Sequence, residues 1–270
     1  MLNKLNKNTT FLIGIISVSL LLFTSLYGGF LIEDYNLTRQ FISETFSEGT
    51  KYGLIFRFFG YLPGGILIIL FCINAIKYFP KIKEIKVGFY GVGLLYGLGT
   101  ILVGIFPCDI GCNRHIDPSI SQHIHNYSAI LTYLLFPFFM ILIGLGFKRP
   151  KLKNIISLNV FTYILIVLVL IFIIDPYYSE TLARNADTLR YLFIPLYSVL
   201  IYLQLKNITY INSFSLISTV FGLICTFLVF VFVSNLESKF IGLFQRFIEW
   251  FFVIWVIICS ITIKNKELID

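Results

Sequence analysis

The sequence predicts an all-α fold: a single polytopic transmembrane bundle over residues 1–270, with eight spans and both N-terminus and C-terminus cytoplasmic. Three observations predict it. Hydrophobic residues make up 57% of the chain and charged residues 13%, where a soluble domain carries about 25% charge. The mean hydropathy of +0.87 means that lipid must solvate much of the surface. Finally, the apolar residues fall in runs near the ~20 residues a spanning helix needs, with basic residues gathered at alternate ends.

The runs follow in order. The first, 11–32, stands behind Lys4 and Lys7 and so imitates a secretory signal. It is too long for a signal core and lacks a small-x-small cleavage site, which makes it a retained helix. The second and third, 54–76 and 87–106, carry Gly60, Gly64 and Gly65, then Gly88, Gly91, Gly93, Gly97 and Gly99. Small residues let membrane helices approach closely, so both belong inside the bundle. No Walker lysine or preceding strand accompanies these glycines, which excludes a nucleotide loop. The remaining runs are 126–147, 154–174, 189–205, 213–234 and 242–263. The run 189–205 is short and contains Pro195, which a membrane helix tolerates when neighbours satisfy the freed carbonyl. Loops at about 33–52 and 175–188 are polar enough to fold over one mouth of the bundle.

An eight-span count puts Lys4, Lys7, Lys77, Lys81, Lys83, Lys86, Lys148, Arg149, Lys151, Lys153, Lys206, Lys264 and Lys266 on one side. Only Glu84, Glu267 and Asp270 oppose them there, and the positive-inside rule makes that side the cytoplasm. The net charge of +7 is thereby a topology signal with attraction for anionic headgroups, and nucleic acid is excluded as its explanation. Membrane lipids are the expected partners, and no protein partner is indicated.

The polar residues converge on the opposite side. His115, His123 and His125 follow closely on Cys108, Asp109 and Cys112, with Asp117 among them. Arg57 lies about a turn inside the second span. Gln245 and Glu249 are i,i+4 and Arg246 and Glu249 i,i+3 near the start of the last, so all three can share one face. A charge facing lipid is unfavourable, so that face should point inward. An extracytoplasmic pocket follows, with Asp109, His123, His125 and Glu249 as candidate catalytic groups.

Three uses compete for it. His115, His123 and His125, with Asp109 or Asp117, have the donor types for a divalent metal such as zinc, which would activate water against a lipid ester or amide. The i,i+2 spacing of His123 and His125 matches no metalloprotease signature, however. Alternatively, Arg57 and Arg246 hold a phosphate or carboxylate headgroup while a histidine moves protons. The third use is structural, with Arg246 paired to Glu249 or Asp109. Cys108 and Cys112 face an oxidising compartment and suit a disulfide, against free thiols or metal thiolates; their spacing lacks the redox C-x2-C form. Cys72, Cys225 and Cys259 sit in apolar runs as small hydrophobes.

The segments Gly104-Ile105-Phe106-Pro107-Cys108-Asp109, Gly111-Cys112, Gly242-Leu243-Phe244-Gln245-Arg246 and Ile42-Ser43-Glu44-Thr45-Phe46-Ser47-Glu48-Gly49 together resemble domain of unknown function family 998. These are prokaryotic multi-pass membrane proteins, commonly of about six spans. The resemblance implies a plasma-membrane protein. It also implies that Ser43, Glu44, Asp109, His123 or His125, Gln245 and Arg246 are the positions to watch, with Ser43, Glu44 and Gln245 joining Arg57 and Arg246 as ligand-binding candidates. No reaction comes with it. The expected function is binding or modifying a lipid or amphiphile on the outer side. Transport of a small solute or ion, or a purely structural or assembly role, are the alternatives.

Overall fold

The computed structural model describes residues 5–112, 118–147, 213–234 and 238–265. They belong to one compact unit, Met1–Phe147 with Asn212–Asp270, while Lys148–Ile211 separates as a second unit outside the described residues. Six helices in the described residues are long and apolar enough to cross a membrane. They are α1 (Lys7–Phe30), α2 (Gly53–Tyr78), α3 (Lys83–Ile105), α4 (Ile120–Gly146), α5 (Ser213–Val233) and α6 (Ile241–Asn265).

This corrects the expectation of eight spans. Among the described residues the fold is an all-α polytopic bundle with six candidate transmembrane helices. Each is a helix of crossing length laid over one of the predicted apolar runs. The runs 154–174 and 189–205, and the loop 175–188 between them, lie outside the described residues. An even count still brings the start of α1 and the end of α6 to one end of the bundle, where Lys264 lies against Phe11, but the eight-span count no longer assigns that end to the cytoplasm.

Close backbone approach holds the bundle together. A Cβ on Gly65 would stand 2.6 Å from the Gly97 carbonyl, and one on Gly97 would stand 2.9 Å from that of Gly65, so α2 and α3 touch through backbone. Gly60 faces Thr24 and Gly64 faces Leu21 across α1–α2, while Gly99 faces Thr132 across α3–α4. Lipid supplies no hydrophobic drive between helices, so such dispersion contacts and buried hydroxyls do the joining. Ser215 Oγ donates to the Gly144 carbonyl at 2.7 Å, and Ser218 Oγ donates to that of Met140 at 2.8 Å while accepting from Trp255 Nε1 at 3.0 Å. Cys72, Cys225 and Cys259 are buried in the helices.

Two helices depart from α geometry. Residues Arg57–Tyr61 of α2 and Gly93–Gly97 of α3 form π turns. Such a turn admits one extra residue and re-aims the side chains around it. Pro137 stands inside α4; lacking an N–H, it leaves the carbonyl four residues earlier, that of Tyr133, without its helical donor.

The two ends of the bundle differ in charge. One gathers Lys7, Lys77, Lys81, Lys83, Lys86 and Lys264, and contacts tie it together: Tyr78 Oη donates to the Leu5 carbonyl at 3.0 Å, and Lys264 Nζ lies 4.6 Å from the Phe11 ring centre. Above this end the interior is sealed by Phe71, Phe89, Met140, Ile143, Phe252 and Trp255, all fully buried. The other end carries the polar loops and the candidate site.

Candidate functional site

A roof covers the polar end of the bundle. It runs from the end of α1 to the start of α2 and centres on a 3₁₀ turn, Ile42–Phe46. Local side chains shape it: Asn36 Oδ1 accepts from the Thr38 amide at 3.0 Å, and Glu44 accepts from the Phe41 amide and Gln40 Nε2, each at 2.8 Å. Glu44 thus caps the 3₁₀ turn.

Arg246 fastens this roof to α6. Its Nη1 donates to the carbonyls of Leu37, Gln40 and Gly242 at 2.7, 2.9 and 3.0 Å, and its Nη2 donates to Tyr35 Oη at 2.6 Å. Tyr35 Oη donates onward to the Phe41 carbonyl at 2.6 Å. Burial pushes the Tyr35 hydroxyl up to about 12, against the opposing pull of the Arg246 charge. A Cβ at Gly242 would collide with the Gln40 carbonyl, so the roof lies directly on the helix.

The second loop braces the roof from the side. Cys108 and Cys112 are joined by a disulfide, and Gly111 between them takes φ 70°, a left-handed conformation suited to glycine. The Glu48 amide donates to the Cys108 carbonyl at 2.9 Å, and Ser43 Oγ lies 3.2 Å from Cys112 Sγ. Asp109 Oδ1 accepts from Ser119 Oγ at 2.5 Å and Oδ2 from the Ser119 amide at 2.9 Å. These bonds hold its carboxyl below the usual carboxylate range. Ser119 Oγ in turn accepts from the Gln122 amide at 3.1 Å, capping α4.

Beneath the roof lies a cavity of about 60 Å³ enclosed by α1, α2, α3, α4 and α6. Its polar wall is formed by Tyr61, Tyr96, His125, Tyr133, Gln245 and Glu249, with Thr100, Thr132 and Ser43 around them. Glu249 is the acceptor at the centre: Tyr133 Oη donates to Oε1 at 2.8 Å and Tyr96 Oη donates to Oε2. Gln245 links this pair to the roof. Its Oε1 accepts from the Ile42 amide at 2.8 Å, which turns its Nε2 to donate to Tyr133 Oη at 3.2 Å. Tyr61 Oη is buried and, among the described residues, makes no hydrogen bond of ordinary geometry, though Thr24 lies beside it. His125 Nδ1 is 3.0 Å from the Phe106 carbonyl; a carbonyl only accepts, so Nδ1 carries the proton. Glu249 stands about 12 Å below the start of α6, well within the span.

The expected site residues therefore divide. Ser43, His125, Gln245 and Glu249 line the cavity. Arg246 secures the roof and makes its hydrogen bonds to backbone and Tyr35 rather than to Glu249 or Asp109. Glu44 caps a turn, Asp109 caps through Ser119, and none of Glu44, Asp109, Arg57, Arg246 or His123 is on the cavity wall. His123 stacks on Tyr127 with ring centres 6.4 Å apart. Arg57 is half-buried at the head of a π turn, and its Nε has no hydrogen-bond partner. His115 and Asp117 lie outside the described residues, among which no group of three or more His, Cys, Asp or Glu side chains is placed to hold a metal ion.

Sequence reasoning missed Tyr61, Tyr96 and Tyr133. The available signal was their depth: tyrosines in membrane proteins favour the headgroup level, and these three stand deep inside spans. Both Tyr61 and Tyr96 also occupy the π turns.

Fold and cavity together define a polytopic α-helical membrane protein with a polar chamber inside one end of its bundle. The chain belongs to the family described as Protein of unknown function (DUF998), whose profile matches residues 15–201. That match includes the greater part of α1 and all of α2, α3 and α4, and stops short of Gln245, Arg246 and Glu249. No curated protein and no solved structure matches the chain.

Proposed function

We propose that this protein binds the polar head of an amphiphile in the cavity beneath the roof, at the extracytoplasmic end of the bundle. The observation that carries the reading is Glu249: an ionisable side chain deep in a membrane bundle, set among hydroxyls that face a cavity. Intramembrane carboxylates are unfavourable unless they have a task or a partner, and no Lys or Arg among the described residues is on this cavity's wall. The basic residues at the other end put that end in the cytoplasm by the positive-inside rule, and the cavity outside. A transport path is disfavoured, since fully buried Phe71, Phe89, Phe252 and Trp255 close the interior towards the basic end.

The test is native mass spectrometry of the full chain released from its own membranes. An amphiphile adduct is expected, lost on filling the cavity with Ala129→Phe and kept on changing lipid-facing Ile254→Ala. An adduct indifferent to Ala129→Phe, or none above the lipid-facing background, refutes the reading.

A further inference from the structure

The cavity wall also specifies the kind of head, on the reading that the cavity is a head-binding site. Glu249 receives hydrogen bonds and gives none. The polarity is set from outside: the Ile42 amide can only donate to Gln245 Oε1, so Gln245 Nε2 donates to Tyr133, and Tyr133 donates to the carboxylate. Tyr96 donates to the second oxygen. A group at the accepting end of one donor chain and of a second hydroxyl is suited to be ionised. A carboxylate has about four lone-pair sites, so further donors can still reach it.

The matching positive charge is not supplied by the wall. Arg246, the nearest residue of that sign on α6, gives its Nη1 and Nη2 bonds to the roof carbonyls, Gly242 and Tyr35. Four phenyl and phenol rings stand on the same wall: Phe46 and Tyr61, with ring centres 4.2 Å apart, and Tyr96 and Tyr133. Ring faces attract cations. Tyr61, only 8% exposed, presents on the same wall an Oη with no hydrogen bond of ordinary geometry among the described residues. Size narrows the choice, because about 60 Å³ has room for roughly four or five water-sized atoms.

We propose that the cavity binds a small primary ammonium group of ethanolammonium size, with the Glu249 carboxylate as counter-ion and Tyr61 Oη as an additional hydrogen-bond partner. The N–H groups bond the free lone pairs of Glu249 while the methylenes lie against the rings. A trimethylated head is too large and has no N–H to give. The same chemistry reaches the cavity from a free amine or from an aminolipid.

Two arms separate those sources. In the first, the full chain in phosphatidylglycerol nanodiscs is titrated calorimetrically with ethanolammonium chloride, tetramethylammonium chloride and potassium chloride at matched ionic strength. In the second, native mass spectrometry reads adducts from an equal mixture of phosphatidylethanolamine, phosphatidylcholine and phosphatidylglycerol. Ethanolammonium is expected to bind in preference to the other two salts. Glu249→Gln, which keeps the shape, should weaken it about 100-fold. Tyr61→Phe, which removes the Oη hydroxyl, should weaken it roughly threefold to tenfold.

A phosphatidylethanolamine adduct lost in Glu249→Gln supports the proposal with a lipid source. Glu249-dependent binding of the free amine, with no cavity-dependent lipid adduct, supports it with a soluble source, and the amphiphile reading then fails alone. Conversely, a phosphatidylglycerol or phosphatidylcholine adduct that Ala129→Phe abolishes and Glu249→Gln leaves intact keeps the amphiphile reading and overturns the ammonium site. Potassium or tetramethylammonium binding as tightly as ethanolammonium also overturns it. If Glu249→Gln does not fold, unchanged affinity in Tyr61→Phe overturns it.

Discussion

Arg246 and Glu249 are one turn apart on α6 and serve different structures. Arg246 turns to the roof, where a planar guanidinium can satisfy several carbonyls at once; an ammonium would not replace that fork. Glu249 turns to the cavity and meets only hydroxyls. Their spacing was legible from the chain, as was the importance of Gln245. What the spacing lacked was the partner of each, because a roof carbonyl leaves no mark in the amino-acid sequence. Asp109 makes the same point: beside three histidines it reads as a ligand or acid, and in the fold its bonds go to the Ser119 cap of α4.

That cap gives a prediction in pH. The folded carboxyl of Asp109 is held below the ordinary aspartate value of about 3.9. A lowered value means that the stabilisation is present above about 3.9 and lost as pH falls through the lowered value. The thermal midpoint of the purified protein should therefore drop more steeply below about pH 4 in the native sequence than in Asp109→Asn, which has no proton to take up. Equal acid sensitivity in the two proteins would remove the cap's role.

At the scale of elements, the helices were the most legible part. All six match apolar runs, with ends displaced by a few residues, because a segment surrounded by lipid must satisfy its own backbone. The π turns of α2 and α3 were not legible. A pattern read at 3.6 residues per turn assumes one phase along the helix, and an inserted residue shifts that phase by about 100°. Tyr61 and Tyr96 come to the cavity from within those shifted turns. The glycines were read as points of close approach that put both helices inside the bundle; that Gly65 and Gly97 meet each other is a finding of the structure, and the contact is testable. Gly65→Leu must displace the Gly97 backbone and should cost about 1–3 kcal/mol, seen as a lower thermal midpoint. Ile66→Leu, at a neighbouring position 48% exposed to lipid, should leave the midpoint within error. Equal effects from the two would mean that the helices are not in backbone contact.

At the scale of the whole molecule, charge divides the bundle into a basic end and a roofed end. Composition made the membrane setting legible at once, while the span number was not, since hydropathy alone cannot say which apolar runs become crossing helices. The orientation has a direct measurement. A cysteine in place of exposed Lys51, beside the roof, should react with a membrane-impermeant maleimide on right-side-out spheroplasts. One in place of exposed Lys81 should react only after permeabilisation. The reverse pattern would put the cavity on the cytoplasmic side.

The roof is held at one edge by Gln245 and Arg246, neighbours on α6, and at another by the disulfide loop. The Ile42 amide that orients Gln245 belongs to the roof itself, so raising the roof breaks the donor chain that ends on Glu249. If the proposed ligand passes through that face, its arrival and departure are coupled to the wiring that makes the carboxylate a good acceptor. Dwell time becomes a property of the gate, set by how often one backbone hydrogen bond opens, and two proteins with equal affinity could differ greatly in turnover by altering Gln245 alone.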